Sequence, residues 1–448
     1  MSDSVTGLNA EFAALVGLDW ADRKHCLALV PTAGGEIEKG ELDNTPEAIA
    51  AWAAGLDERF GGRPIAVAIE QKRGAVVHML RRHPQLVLFL VRPGMSASFR
   101  HAFYPSGAKN DPGDTALLLD LLIHHRERLQ RYQPDDEKTR LLERLVEERR
   151  KAVNEKTRFV LQLTDCLKQY FPQVLRWFHS VDSPVVADLL DQWPELAKLQ
   201  RTNPAKLAKF LGEHKGLNQE RIQERIQQIY AAVAATSDPV VIEACSRRAV
   251  SLVQHLRVFW ADIADLTKRI AELVADHPDT PIFRSLPGAG AATVPRLIAA
   301  FGTKRERFET AYQLQCYSGI APVQQASGKT RVVHFRRACP KFLRQTFQEF
   351  AGQSIRFSTW AKAFYLNQRS HGTAHHAAVR ALAYKWIRII FRCWKERQPY
   401  DEQLYIAAAQ RRGALLGPAL AAVTDAKTST NARWTKVAGF HQLAGDFA

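Results

Sequence analysis

Four acidic residues stand where a divalent-cation site could be built. Asp19 ends the first apolar run, Glu70 ends the run PIAVAIE, and Asp111 and Asp114 open the helix expected after Lys109 and Asn110. Residues three apart share a helix face, so the last two can point together toward the C-terminal ends of the strands that carry the others. Carboxylates gathered in this way repel one another unless cations neutralise them, and hard ions such as Mg²⁺ take oxygen ligands. Two such ions about 4 Å apart could activate an attacking oxygen and stabilise a leaving oxygen on a phosphate. Each acid also has a plainer explanation. Asp111 before Pro112, with Asp114 three on, is a capping arrangement; Asp19 could sit in a turn, and Glu70 could pair with Lys72 or Arg73. An acid directly after an apolar run, twice, followed by a paired acid on the next suitable helix, favours the metal reading for the set.

The second chemical feature is charge. The 448 residues carry 62 Lys and Arg against 46 Asp and Glu, a net charge of +16. From Lys329 to Arg397 there are fifteen Lys and Arg and two acids, Glu349 and Glu396, so this stretch holds +13 of the total. Such a block attracts polyanions, and its interleaved aromatics, among them Phe335, Phe342, Phe357, Trp360, Tyr365, Tyr384, Trp386 and Trp394, could stack on bases. For most of them a basic helical surface over an aromatic core is the preferred reading. Gly288 and Gly290, in the segment Leu286–Gly290 between two helices, would let backbone N–H groups approach a phosphate, although an ordinary tight connection explains them equally well. Ser327, before Gly328 and Lys329, is by default a turn residue. Ser285 and Ser318 have better structural roles, the first at a cap and the second at a helix end. His371, His375 and His376 lack an acidic or Cys partner for a metal, and six scattered cysteines without a CxxC pair predict reduced, mostly buried thiols.

The elements that must position these groups follow from pattern. VGLDWA, KHCLALVP and EIEKGEL read as strands, with the Gly34–Gly35 turn between the last two. A helix from about 46 to 60, the run PIAVAIE, a helix around 74–82, the run QLVLFLVRP and a long helix from Pro112 complete an order βββαβαβα, which predicts a mixed sheet with helices packed on it. From Asp136 to Phe171 one helix is expected, with Leu142, Leu145, Ala152, Phe159, Leu163, Cys166 and Tyr170 on a 3-4 seam, and a reach of about 50 Å. Arg149 and Lys156 on that seam leave packing within the chain and dimerisation both open. Helices continue to about Pro278, punctuated by Pro184, Pro194, Pro204 and Pro239. The fold class is therefore α/β plus α, divided as 1–135, 136–278 and 279–410, with a tail over 411–448 that lacks periodicity. Hydrophobic residues make up 46% of the chain, enough for real cores. No run is long and apolar enough to span a membrane, and MSDSVTGLNAEF lacks a secretion pattern, so a cytoplasmic protein without a membrane partner is expected.

The ordered series GLDWADRKH, AIEQKRG and KNDPGDT, a long helical insertion, SLPGAGAATVPRLIAAFG, YSGIAPVQQASGKT and a basic helical C-terminal unit resembles the DEDD transposases of the insertion sequence one-hundred-and-ten family, over most of residues 12 to 405. The resemblance implies an RNase H-like (RuvC-like) domain over 1–135, a coiled-coil region over 136–278 and a transposase domain over 279–410 that carries a helix-hairpin-helix. Its DEDD acids transfer onto Asp19, Glu70, Asp111 and Asp114, with Asn110 and Thr115 departing from the commoner form without removing a carboxylate. It implies that Ser327 attacks the DNA phosphate to form a covalent phosphoserine intermediate. Around it, Lys329, Arg331, Arg336 and Arg337 would stabilise phosphorane charge, while Lys341 and Arg344 continue the nucleic-acid-binding series. The implied activity is cleavage and strand exchange of insertion-sequence and target DNA with Mg²⁺, guided by a bridge RNA, in a homodimer or tetramer associated with the bacterial nucleoid. A water-using endonuclease of RNase H-like fold, or a non-catalytic nucleic-acid-binding scaffold, are the alternatives.

Overall fold

The computed structural model describes residues 11–70, 74–103, 111–214, 218–328 and 330–411, with the side chains of Asp111, Pro112 and Arg331 outside the description. Lys329 and the tail beyond Arg411 therefore lie outside the described residues. The chain separates into two compact units at Pro134 and Asp135.

The first unit is built on a six-stranded mixed sheet. Its elements are β1 (Ala14–Asp19), β2 (Lys24–Pro31), β3 (Glu38–Asp43), α1 (Pro46–Phe60), β4 (Ile65–Ile69), α2 (Ala75–Leu80), β5 (Leu86–Leu90), α3 (Pro93–Phe103), α4 (Asp111–His125) and β6 (Gln130–Arg131), in the spatial order β3-β2-β1-β4-β5-β6. The hairpin strands β1, β2 and β3 run antiparallel, β1, β4 and β5 run parallel, and β6 closes the edge antiparallel. Alternation sorts the side chains: Val16, Leu18, Val67 and Ile69 face one layer with α1 and α2, while Leu15, Ala66, Ala68 and Phe89 face the other with α4. Thr45 starts α1 by accepting from the Ala48 N–H at 3.2 Å, and Gly61 in a left-handed conformation (φ 60°) ends it.

Gly17 sets the position of α4. A Cβ there would lie 2.3 Å from the Thr115 carbonyl oxygen and 2.7 Å from the Leu119 nitrogen, so the helix backbone rests directly on β1. At the other end of the helix Arg126 stacks over Phe12, 5.2 Å from its centroid, just before β1 begins. Thus α4 runs antiparallel to β1, and its first turn lies toward the strand's C-terminal end. Two elements, α3 and β6, are absent from the pattern read in the sequence. Only Ser96 is buried in α3, so it has no apolar stripe to announce it, and β6 is two residues long.

The second unit is mainly helical: α5 (Glu137–Tyr170), α6 (Gln173–Trp177), α7 (Pro184–Gln192), α8 (Leu196–Gln200), α9 (Pro204–Glu213), α10 (Gln219–Tyr230), α11 (Pro239–Ala275), α12 (Thr280–Arg284), α13 (Thr293–Phe301), α14 (Ala311–Tyr317), a hairpin of β7 (Val323–Ser327) and β8 (Thr330–His334), then α15 (Lys341–Phe357), α16 (Thr359–Ser370), α17 (His375–Glu396) and α18 (Glu402–Arg411). Helices α5 and α11 pair antiparallel within the chain. Arg149 Nε donates to Thr267 Oγ1 at 2.7 Å, Phe159 stacks on His255 at 5.2 Å, and Cys166 Sγ donates to the Cys245 carbonyl at 3.3 Å. Packing within the chain, one of the two arrangements the seam left open, is therefore present. The ends of α5 serve different cores: Leu142 and Val146 join α13, α15 and α17, whereas Leu163, Leu167 and Tyr170 join α6 to α10.

A polar clamp holds the start of α5. Asp136 caps the helix through the Thr139 N–H (3.0 Å) and accepts from the hydroxyls of Thr139 (2.7 Å) and Thr303 (2.8 Å). His277 lies 3.0 Å from Thr139 Oγ1 through Nε2, and its Nδ1 accepts from the Asp279 N–H at 3.2 Å. Burial raises the Asp136 carboxyl, but these hydrogen bonds outweigh it and hold it at about 2. Burial lowers the His277 imidazole below its usual value.

Most aromatics of the basic block are core. Trp360, Trp386 and Trp394 are fully buried, and each indole N–H is satisfied at 2.8 Å, by Tyr400 Oη, Ser354 Oγ and the Gly302 carbonyl respectively. Phe335 and Phe357 are exceptions, 40% and 61% exposed. The cysteines are all unbridged, but Cys166 alone is buried; the other five are half-buried, correcting the expectation for most of them. No described helix is long and apolar enough to cross a membrane.

Candidate active site

The first unit places three of the four acids around one sheet end. Leu18 pairs with Ile69 in the parallel β1–β4 ladder, so Asp19 and Glu70 are the next residues along two adjacent strands, whose spacing is about 4.8 Å. Asp19 shares the face of Gly17, on which α4 lies. Asp114 sits in the first turn of that helix, 9% exposed, where the helix dipole favours a negative charge. Asp111 is the first residue of the same helix, three positions earlier in that turn.

Sequence reasoning missed Arg100. This α3 residue donates through Nη2 to Asp114 Oδ1 in a largely buried ion pair, its side chain 21% exposed against 12% for the aspartate. A carboxylate this buried requires a cation, and the guanidinium supplies it. No signal in the sequence could have found Arg100, because the pairing depends on where α3 and α4 pack. Among the described residues no three side chains of metal-ligand type converge on one point. Carboxylate oxygens at adjacent strand ends are the donor type that Mg²⁺ takes, while the charge of Asp114 is compensated by Arg100.

In the second unit Ser327 is exposed at the tip of the β7–β8 hairpin, paired across it with Thr330. Gly328 has φ 55°, and a Cβ on it would meet nothing within 4 Å, so turn conformation accounts for the glycine. The rival serines are committed elsewhere. Ser318 is completely buried at the end of α14, its hydroxyl 3.3 Å from the Gln315 carbonyl. Ser285 Oγ donates to the Ile282 carbonyl and accepts from the Tyr400 N–H, both at 2.7 Å.

The connection between α12 and α13 divides its glycines. Gly288 has φ 83°, and a Cβ there would press within 2.9 Å of the Phe357 ring and 3.2 Å of the Gln353 backbone, so packing on α15 explains it. Gly290 faces open space, but its own N–H is bonded to the Gly288 carbonyl at 3.1 Å. Arg337 and Lys341 are exposed. Arg336 Nε donates to the Ala321 carbonyl at 3.2 Å and Arg344 Nη1 to the Arg336 carbonyl at 3.3 Å, so both are anchored. Arg331 lies on β8. Both acids of the block are engaged: Glu349 binds Arg150 (3.2 Å) and Arg296, and Glu396 binds Arg392 (2.9 Å). His371 and His375 have local partners, the Asn367 carbonyl at 2.7 Å and the Tyr365 hydroxyl at 2.8 Å.

The chain is similar to known proteins over most of its length. A DEDD transposase model of the IS110 type matches residues 16–172, and one described as transposase of the IS116/IS110/IS902 family matches residues 280–366. The protein named as the mini-circle transposase for IS117 of Streptomyces coelicolor is 29% identical over 86% of this chain and 95% of its own length. A 43.6 kDa protein of insertion element IS110 from the same organism is 24% identical over 88% of this chain and 97% of its own, and a 42 kDa protein of IS900 from Mycobacterium paratuberculosis is 23% identical over 88% and 98%. With both family models placed in order along one chain, and relatives aligned over nearly their whole length, the protein belongs to the IS110 family of transposases, enzymes that act on DNA.

Proposed function

We propose that this transposase cleaves and exchanges DNA strands with two sets of groups: the carboxylates of Asp19, Glu70, Asp111 and Asp114, and the hydroxyl of Ser327. The observation that carries the reading is the register of β1 on β4, which makes Asp19 and Glu70 neighbours at the strand ends toward which the first turn of α4 is directed. The strand order, with an antiparallel β3-β2-β1 meander beside parallel β4 and β5, supports an RNase H-like fold for this unit. The four acids would hold Mg²⁺, which supplies charge neutralisation at a phosphate and a lowered pKa for a bound oxygen nucleophile. Asp114 would exchange its guanidinium partner for metal, and Asp19 and Glu70 would contribute from the strands.

Ser327 is the nucleophile of this reading. Its exposure at a hairpin tip, while Ser285 and Ser318 are tied into helix ends, supports the choice. Ser327 Oγ, losing its proton, attacks the DNA phosphorus and displaces a deoxyribose oxygen, which takes up a proton and leaves as a free hydroxyl end of the strand, so one phosphoester bond is exchanged for another. Arg336, Arg337, Lys341 and Arg344, with Lys329 and Arg331, attract the strand. Sequence choice rests with a bridge RNA, by resemblance to the family, and strand exchange requires a dimer or tetramer because at least two active sites must act together. The test compares Ser327→Ala with Asp19→Asn on insertion-element DNA. Both variants should lose recombinant product, and a denaturation-resistant protein–DNA adduct should vanish with the serine. A Ser327→Ala protein that still cuts would instead identify a hydrolytic endonuclease, and sequencing RNA co-purified with the protein tests the guide.

A further inference from the structure

The exposed ring of Phe335 carries two arginines. Arg380 Cζ lies 4.2 Å and Arg344 Cζ 4.7 Å from its centroid, so the two charges are at most about 9 Å apart, those distances laid end to end. That upper bound is about one Debye length at physiological salt, so their mutual repulsion is only partly screened and depends on ionic strength. A like-charge pair normally finds a carboxylate. Here neither arginine forms an ion pair among the described residues, and both acids of the surrounding block are bound to other arginines. Arg344 spends one N–H on the Arg336 carbonyl, while Arg380 Nε is buried without a hydrogen-bond partner among the described residues. The neighbouring charge of Arg344 adds to burial in lowering the Arg380 pKa.

A guanidinium stacked on a ring keeps its N–H donors in its own plane, where they can grip the two oxygens of one phosphate. From this geometry we infer that Phe335 holds Arg344 and Arg380 as a two-arginine clamp for a phosphodiester group of a nucleic-acid strand. The inference rests on the proposed function and adds to it residues of a different kind. Phe335 has no charge, and Arg380 comes from α17, remote in sequence from the serine hairpin. A carboxylate-bearing ligand would satisfy one fork, but a repeating phosphodiester offers flexible, closely spaced anions to two.

Fluorescence anisotropy of the full chain with a duplex DNA oligonucleotide and a single-stranded RNA, each at several salt concentrations, tests the clamp. Arg380→Gln should flatten the log–log salt dependence by about one ion on the strand that occupies the clamp, which is about a threefold change in the wild-type to variant ratio for a fourfold change in salt. Phe335→Leu should weaken binding about threefold although it removes no charge, and Arg380→Lys should weaken it with the salt slope kept. Arg247→Gln, an exposed arginine of α11 paired with Glu243 at 2.9 Å, controls for net charge and should change neither quantity. Loss confined to DNA, confined to RNA or common to both supports the clamp and identifies its strand. Wild-type behaviour of both Arg380→Gln and Phe335→Leu, with melting temperatures preserved, or a loss in Arg247→Gln equal to that in Arg380→Gln, overturns it while leaving the recombinase reading standing. A wild-type protein that binds neither probe overturns both.

Discussion

Gly17→Ala is the most direct perturbation of the acid-bearing helix. The added Cβ would stand 2.3 Å from the Thr115 carbonyl oxygen, 2.7 Å from the Leu119 nitrogen and 3.2 Å from the Leu119 Cβ, and the first two contacts are with backbone that cannot rotate away. Restoring ordinary van der Waals separation requires α4 to retreat from β1 by about 1 Å, an overpacking cost of about 1–3 kcal/mol. Because Asp111 and Asp114 ride on the first turn of that helix, the same movement displaces them from Asp19 and Glu70. A shift of about 1 Å in a catalytic group lowers rates about 100-fold. Single-turnover cleavage of element DNA should therefore fall by about two orders of magnitude, and the melting of the N-terminal unit should drop by roughly 5–10 °C. Gly40→Ala is the matched control, since a Cβ on that β3 residue meets nothing within 4 Å. If the two alanine variants melt and cleave alike, the argument that Gly17 sets the seat of α4 is refuted.

Two other predictions follow from buried charge. Arg100→Ala leaves Asp114 without its guanidinium and should cost about 2–3 kcal/mol in metal-free buffer, with Mg²⁺ recovering more melting temperature in the variant than in the wild type; equal recovery in both would show that Asp114 does not bind the ion. The depressed pKa values of His277 and of Asp136 (about 2) mean that the native state binds fewer protons than the unfolded chain. Their contribution is complete above the unfolded values, near 6.5 for the histidine and 3.8 for the aspartate, and is lost as pH falls through the folded ones. Urea unfolding at pH 7 and pH 5 should show the second unit weaker at pH 5, and His277→Gln should reduce that difference; an unchanged difference would exclude His277 as its source.

Much of the site's inventory was legible in the linear pattern. The apolar runs of β1 and β4 end on Asp19 and Glu70 because alternation and composition are local properties, and the same is true of α5, whose seam and Asp136 cap are written in consecutive residues. The charge of the block from 329 to 397 is additive, so it needed no structure at all. Adjacency was not legible. That Leu18 pairs with Ile69 depends on hydrogen bonds between strands 51 positions apart, and the pairing of α5 with α11 depends on which apolar face each helix leaves for the other. The exposure of the three serines was not legible either, because no single residue determines burial: Ser318 disappears under packed helices while Ser327 is carried out on a hairpin. The cations facing Asp114 and Phe335 were hidden for the same reason. Arginine is common on any basic surface, and only packing decides that Arg100 reaches a buried aspartate while Arg344 and Arg380 share a ring without an ion-pair partner among the described residues. The sequence by itself determined which chemical groups and which local elements this protein possesses; the tertiary structure alone decided which groups meet, because strand register and helix packing are selected by contacts between residues far apart in the chain.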